Sequence, residues 1–157
     1  GGAPGQREED VFAAWLSLNP GRRPGSPPAE RDPIAMGATA AWLHRIGEVG
    51  PTPYEFCMDE RRQTQRPDLV LRKRKIDAAD VTVVSGIPAT TPSRTVIDLI
   101  DYGEDLSLIA NVLNDALARE LVTDEARLKK EIDSRAARVG LSKGSSLYEL
   151  MRRRRRP

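Results

Sequence analysis

Apolar residues recur along the chain at two spacings, which predict a mixed first half and a helical second half. Val11, Ala14, Trp15 and Leu18 repeat at the spacing of one helix face and predict a short helix over 10–18. A second helix is expected within 34–46. Alternating or β-branched residues instead predict four strands. These strands cover about 53–58, 68–73, 80–84 and 87–90.

The boundaries of the second helix follow from the residues at its ends. Thr39 has the side chain of an N-cap residue, and Gly47 suits the position just after the last turn. The segment before this helix, 20–33, contains five prolines and is expected to be an exposed irregular loop.

The last two predicted strands form a hairpin. The tight turn is expected at 85–86, because Gly86 accepts positive φ. Pro88 lies in the return strand and has no N–H to donate. This strand is therefore expected at a sheet edge, or with its N–H side open.

A helix begins directly after this hairpin. Thr91 is expected to cap it, and Pro92 suits the first helical position, where a missing N–H costs nothing. Arg94 and Asp98 are four residues apart and can form an ion pair. We expect this pair to be exposed, where it contributes about 0.3–0.5 kcal/mol.

Three further helices are predicted downstream. Apolar stripes run through 106–121, 128–139 and 147–151. Asp105 and Thr123 have side chains that suit N-cap positions, and Gly140 suits the position where a helix ends. The fold class is therefore α+β, with a small, mostly antiparallel sheet, packed helices and a helical C-terminal half. The expected organisation is a linker over 1–9, a single domain over 10–151 and a basic tail over 152–157.

Composition limits the possible chemistry. The net charge of the 157 residues is +2, and Arg152–Arg156 carry five positive charges, so the remaining residues are net acidic. One cysteine excludes an internal disulfide, and one histidine leaves no pair for a metal site. No apolar run is long enough to span a bilayer. A cytoplasmic location, no membrane association and no cofactor are expected.

The clearest candidate for a contact surface is a run of basic residues. It consists of Arg61, Arg62, Arg66, Arg72, Lys73, Arg74 and Lys75. Such a surface can bind an acidic protein partner or a phosphate backbone. Alternatively, it is a solvated strand edge whose charges prevent aggregation. The arginine tail has the same two interpretations, a binding segment or a solvated end.

Catalytic candidates are weak. His44 has no visible partner for catalysis or metal binding, so a half-buried, hydrogen-bonded histidine is expected. Cys57 has no evident base and is expected to be a packed or partly exposed free thiol. Asp68 starts a strand, as the first acid of a metal-dependent nuclease does, but the second acid and the Glu-x-Lys are missing. We expect no enzyme.

Residues 39–121 resemble the C-terminal region of the AbiEi-like antitoxin and transcriptional-regulator family of bacterial type IV toxin–antitoxin systems. The resemblance begins with Thr-Ala-Ala-Trp-Leu-His-Arg-Ile-Gly over 39–47. Its more specific part is similar to the pattern Gly-Ile-Pro-Val-Thr-Thr-Pro-x-Arg-Thr-x-x-Asp-Leu, with Ala89 in place of the valine. The matching motif residues are Gly86, Pro88, Thr91, Pro92, Arg94, Thr95 and Asp98.

The resemblance implies a non-enzymatic domain that binds a nucleotidyltransferase-like toxin and supports transcriptional autoregulation. Family members bind DNA through an N-terminal winged helix that is absent from this sequence, and 1–5 looks like the linker that follows it. The motif residues are expected to set the fold rather than to contact the toxin. The alternative is a nucleic-acid-binding or dimerisation domain of a transcriptional regulator without a cognate toxin.

Overall fold

Five strands form one mixed sheet in the computed structural model, which describes residues 7–23, 26–27, 29 and 31–154. The strands are β1 (Ile34–Ala35), β2 (Tyr54–Met58), β3 (Leu69–Lys73), β4 (Val81–Val84) and β5 (Ile87–Thr90). The helices are α1 (Glu8–Leu18), α2 (Gly37–His44), α3 (Pro92–Asp101), α4 (Leu106–Ala118), α5 (Glu125–Asp133) and α6 (Leu147–Arg153). Short 3₁₀ helices cover Ala78–Asp80 and Ala136–Val139.

The sheet order is β3-β2-β1-β5-β4. The α+β class and the four predicted strands are confirmed, but the prediction of a mostly antiparallel sheet is wrong. β1 pairs antiparallel with β2, and β4 with β5, whereas β1–β5 and β2–β3 are parallel. The connection over 59–68 returns to the starting end of β2 before β3 begins, which makes that pair parallel.

The hairpin of β4 and β5 has the predicted turn. Ser85 and Gly86 have φ values of 51° and 80°, as a two-residue turn of the mirror-image type requires. The expectation of an edge position for β5 is wrong, because β5 lies between β1 and β4. Pro88 is tolerated there because it lies opposite Val83 in a pair that exchanges no hydrogen bonds across the hairpin.

Several helix boundaries differ from the sequence prediction. α1 begins at Glu8, inside the predicted linker, and residues 1–6 lie outside the described part of the chain. Thr39 is not an N-cap, because α2 already begins at Gly37; its hydroxyl donates instead to the Pro51 carbonyl at 2.8 Å. α2 ends at His44, and its C-cap residue Arg45 has a left-handed conformation, two residues before Gly47.

The caps of the later helices are mostly as predicted. The Asp105 carboxylate accepts from the N–H of Ser107 at 2.7 Å, and Gly140 follows the second 3₁₀ helix with φ of 83°. Asp124, not Thr123, caps α5, because its carboxylate reaches the N–H of Arg127 at 3.0 Å.

The segment over 20–33 and the C-terminal segment, both predicted to be irregular, are partly ordered against the domain. Asp32 is buried and accepts hydrogen bonds from Asn19 and from the N–H of Ala29, each at 2.7 Å. The prediction of an exposed loop over 20–33 is therefore wrong at Asp32, while residues 24–25, 28 and 30 lie outside the described part. α6 continues to Arg153, so the predicted tail starts helical; residues 155–157 are not described.

Two apolar clusters form the core. The first joins α1 and α2 to the sheet through residues such as Trp15, Leu43 and Phe56. The second is helical and includes Val96, Leu99, Leu113 and further residues of α3–α6. α2 contributes to both clusters and so connects the sheet with the C-terminal helices. None of the helices described is long and apolar enough to cross a membrane.

Candidate functional site

The basic run lies along one edge of the sheet. Arg61, Arg62 and Arg66 are in the connection before β3, while Arg72 and Lys73 are on β3 itself. Because β3 is the outermost strand on that side, Arg72 and Lys73 lie on an unpaired strand edge. Arg62 instead reaches the Leu18 carbonyl at the end of α1. The structure therefore places part of the predicted run on the strand edge and part in the connection before it.

Four of the seven basic side chains are engaged within the domain. Arg66 makes a two-pronged contact with Asp68 at 3.0 and 2.9 Å. Arg62 pairs with Glu60 at 3.2 Å. Arg72 reaches Glu55 at 3.4 Å. Arg74 donates to the Tyr102 hydroxyl at 2.6 Å. These contacts reduce the positive charge that the run can offer to a partner.

Arg61, Lys73 and Lys75 remain exposed, and no ion pair involves them in the described part of the chain. They are the cations of this edge that are available without breaking an internal contact. We call these three residues the basic edge. It is smaller than the seven-residue surface that the sequence predicted.

The motif residues build the start of α3. The Thr91 hydroxyl accepts from the N–H of Arg94 at 3.3 Å, and Pro92 occupies the first turn, as predicted. Thr95 is buried, and its hydroxyl lies 2.7 Å from that of Thr90 and 2.8 Å from the Thr91 carbonyl. The motif thus fixes how the helix leaves β5.

The predicted ion pair is present, but it is not exposed. Arg94 Nε lies 3.0 Å from Asp98 Oδ1, and the Asp98 side chain has no accessible surface. Burial raises the pKa of Asp98, and the neighbouring Arg94 and Arg74 guanidinium groups oppose that rise. Asp98 Oδ2 is buried without a hydrogen-bond partner in the described residues. Removing one partner of a buried pair destabilises a fold far more than removing one partner of a surface pair, because the other charge is left buried and uncompensated.

Sequence reasoning missed that the basic run and the motif meet. Arg74 Nη1 lies 4.0 Å from Asp98 Oδ1, and the guanidinium of Arg72 is 4.0 Å from the centre of the Tyr102 ring. The spacing carries only part of this signal: Arg72 and Arg74 are two residues apart, so they leave the chain on the same side, but the spacing does not indicate what they contact. In the fold both reach the C-terminal part of α3.

A groove of about 780 Å³ lies beside β4, the strand at the opposite edge of the sheet from β3. β4, the start of α3 and α5 form its walls, and Ile97, Leu121 and Leu128 contribute apolar lining. Thr91, Pro92 and Arg94 of the motif also line it. The motif residues therefore contact both the buried aspartate and an open surface.

The remaining candidates have structural environments. His44 Nε2 lies 2.8 Å from the Thr90 carbonyl, and burial lowers the pKa of this histidine. Burial raises the pKa of the Cys57 thiol to about 12, so the reactive thiolate is scarce at neutral pH. Asp68 is held by Arg66. Within the described residues, no three His, Cys, Asp or Glu side chains converge as metal ligands would.

Comparison with known proteins adds a family assignment. No curated protein and no solved structure matches the chain. The model of the AbiEi antitoxin C-terminal domain matches residues 33–150, which include the whole sheet, the motif and most of the helical half. α1 lies outside the match although it packs on the sheet. Because the match covers well over half of the sequence, the chain belongs to the AbiEi antitoxin C-terminal domain family.

Proposed function

We propose that this domain acts as the antitoxin of a toxin–antitoxin pair, by binding and not by catalysis. Its partner is a nucleotidyltransferase-like toxin, and the intact gene product also regulates its own transcription through an N-terminal DNA-binding module. The family match over 33–150 is the observation that carries this proposal. The proposed location is the cytoplasm, where such a toxin would act.

The basic edge is the proposed contact with an acidic part of the partner. Arg61, Lys73 and Lys75 are exposed, so a partner can reach them without the domain losing an ion pair. Charges at the rim of an interface mainly raise the rate of association, and this effect weakens as the salt concentration rises. Arg72 and Arg74 are less suitable, because they already contact Glu55, Tyr102 and Asp98.

Neutralisation of the toxin tests the proposal. The full-length gene product and the nucleotidyltransferase-like protein encoded beside it would be co-expressed, and growth and complex formation measured. We expect growth to be restored and a complex to be recovered. Toxicity that persists, together with the absence of a complex, would contradict the antitoxin function.

The contact surface requires a separate experiment with a matched control. In the test variant, Arg61, Lys73 and Lys75 are changed to Glu. In the control, three exposed cations of the helical half, Lys130, Lys143 and Arg153, are changed to Glu, so that the net charge changes equally. We expect slower association with the toxin for the first variant only. Equal rates for both variants would place the contact elsewhere.

The second candidate function is a nucleic-acid-binding or dimerisation domain of a regulator without a toxin. The exposed cations of the basic edge favour it, since phosphates bind such side chains. Its signature is affinity for DNA that falls steeply as salt rises. Titration of labelled DNA with this chain at two salt concentrations measures that affinity. DNA binding of this kind, together with no toxin complex in the co-expression experiment, would favour the second function over the antitoxin.

A further inference from the structure

The two edges of the sheet differ in chemistry. β3, at one edge, carries Arg72 and Lys73, and charged side chains of this kind discourage another strand from pairing. β4, at the other edge, has the sequence Val-Thr-Val-Val over 81–84 and carries no charge. Val83 is 48% exposed, one of two large apolar side chains that are exposed in the described part of the chain. β4 is therefore the edge on which another strand can pair.

The ladder between β4 and β5 shows which backbone groups of β4 point outwards. Thr91 N–H donates to the Asp80 carbonyl at 2.9 Å, and hydrogen-bonded pairs alternate with non-bonded pairs from there towards the turn. Val83 lies in a non-bonded pair, so its N–H and its carbonyl both point away from β5. The Val81 carbonyl points the same way, whereas the Val81 N–H donates to the Ala78 carbonyl. β4 therefore presents one donor and two acceptors at its outer side.

These outward groups are self-complementary about Val83. When a second β4 lies antiparallel alongside, with the two Val83 residues opposite each other, they exchange both of their N–H and carbonyl groups in one hydrogen-bonded pair. The same register places Ser85 opposite Val81. The Ser85 N–H points outwards, since the Val84 carbonyl of the same peptide points towards β5, and it therefore faces the Val81 carbonyl of the other copy. A two-fold axis repeats every contact, as an isologous dimer requires.

The groove runs along β4, and its uncompensated charge is negative. Thr82 and Val83 point to opposite faces of the sheet, yet both line the groove, so open space lies beside the strand itself. Asp77 lines it directly before the 3₁₀ helix that leads into β4, and it makes no ion pair in the described residues. The arginines of the groove are neutralised by ion pairs within the domain, Arg94 with Asp80 and Asp98, Arg127 with Glu131, and Arg135 with Asp101. The start of β4 therefore carries excess negative charge.

The turn at the other end of β4 carries excess positive charge. The Glu8 carboxylate accepts from the Ser85 hydroxyl at 2.9 Å and from Arg45 at 3.1 Å, which holds Arg45 beside the turn. Arg7 lines the same small cavity as Arg45 and makes no ion pair within the part of the chain that the structure describes. Antiparallel pairing of two β4 strands places the positive end of one copy beside the negative end of the other, whereas parallel pairing would place like charges together.

We propose that two copies of this chain associate through antiparallel pairing of their β4 strands, which joins the two five-stranded sheets into one continuous sheet. The two Val83 side chains lie side by side at the axis and cover each other's exposed apolar surface. Two four-residue strand edges bury less than the roughly 1,000 Å² of a stable interface, so the dimer is weak, with a dissociation constant between about 1 μM and 1 mM. The pairing requires neither the toxin nor DNA. Its failure would therefore leave the proposed function standing, and failure of toxin neutralisation would leave the pairing standing.

Sedimentation equilibrium of the chain at concentrations up to about 1 mM tests the pairing. Val83→Lys places two like charges opposite each other across the axis and should weaken the dimer at least about tenfold, whereas Val83→Thr keeps the β-branched shape and should weaken it by less than about threefold. Ser142→Lys adds the same charge at an exposed position of the helical half and should leave association unchanged. A wild-type chain that stays monomeric throughout, or a dimer that Val83→Lys does not weaken, overturns the proposal.

Cross-linking and hydrogen exchange locate the contact independently. The Cα atoms of a hydrogen-bonded antiparallel pair are about 5.5 Å apart, within reach of a disulfide, so Val83→Cys should form a linked dimer at least about tenfold faster than Ser142→Cys. The native Cys57 does not interfere, because it is buried. In the wild-type protein, exchange of the Val83 amide should slow as protein concentration rises, while that of the outward Lys73 amide on β3 should not. Equal cross-linking rates, or Val83 exchange that is independent of concentration, would overturn the pairing of β4 strands.

Discussion

Arg74 Nη1 lies 4.0 Å from the buried carboxylate of Asp98, which joins the end of the basic run to the centre of the family motif. The same carboxylate is held by Arg94 at 3.0 Å. One buried acid therefore positions an arginine from the sheet edge and an arginine from the start of α3. The motif and the basic run are parts of one charged cluster and not two independent features.

The first prediction concerns removal of Arg94. Arg94→Met leaves the Asp98 carboxylate buried without its closest cation, and breaking such a pair costs about 3 kcal/mol. The control is Arg127→Met, which removes the equally spaced but exposed pair with Glu131 and should cost less than about 0.5 kcal/mol. Urea unfolding at pH 7 measures both. Equal costs would show that burial of Asp98 is unimportant.

The effect of Arg94→Met should depend on pH in a defined direction. Burial raises the pKa of Asp98, so its carboxyl group binds a proton more tightly in the folded state than in the unfolded chain. The ionised carboxylate therefore destabilises the fold as pH rises from about 4 through its raised pKa. Loss of Arg94 raises the pKa of Asp98 further. We expect the destabilisation by Arg94→Met to be smaller at pH 4 than at pH 7, with no such change for Arg127→Met.

Another prediction concerns the reactivity of Cys57. The thiol is fully buried, and its pKa is raised to about 12, so about one molecule in ten thousand carries a thiolate at pH 8. A disulfide reagent should label the native protein only as fast as it unfolds. Ser142→Cys, at an exposed position, gives a rapidly labelled control in the same chain. Fast labelling of both thiols would contradict the buried environment.

A matched pair of glycines separates backbone strain from steric contact. Gly47 and Gly103 both have φ of 76°, but a Cβ at Gly47 would lie 2.5 Å from Val112 Cγ2, whereas one at Gly103 meets nothing within 4 Å. Gly103→Ala should cost roughly 1–2 kcal/mol, from the left-handed backbone alone. Gly47→Ala should cost about 1–3 kcal/mol more, because α4 must move. Thermal unfolding compares them, and similar costs would show that α4 adapts freely.

Local chemistry explains what the sequence could predict. The hairpin turn at 85–86, the Thr91 cap and the Arg94–Asp98 pair depend on residues a few positions apart, and all three are present. β1 was missed because it has two residues, too few for any periodicity, and exists through its pairing with β2 and β5.

Apart from shifts of a few residues at helix ends, the errors concern contacts that are distant in sequence. The parallel pairing of β2 and β3 depends on the path of the connection, which no pattern within the strands encodes. In the same way, the sequence could show seven basic residues, but not that Arg72 and Arg74 would contact Glu55, Tyr102 and Asp98. The sequence therefore predicts where along the chain the basic residues lie. It does not predict which of their charges remain free in the fold.

The last prediction concerns α1, which lies outside the family match but inside the core. Trp15 is 3% exposed, and its Nε1 donates to the Pro33 carbonyl at 2.8 Å, directly before β1. Trp15→Ala should therefore cost about 3–5 kcal/mol, through a large cavity and an unpaired carbonyl. Glu9→Ala, at an exposed position of the same helix, is the control and should change stability by less than about 0.5 kcal/mol. Urea unfolding followed by circular dichroism measures both variants. If Trp15→Ala leaves the unfolding midpoint unchanged, α1 does not contribute to the stability of the domain. A large loss of stability in a single unfolding transition would show that α1 is part of the domain, which then begins before the family match.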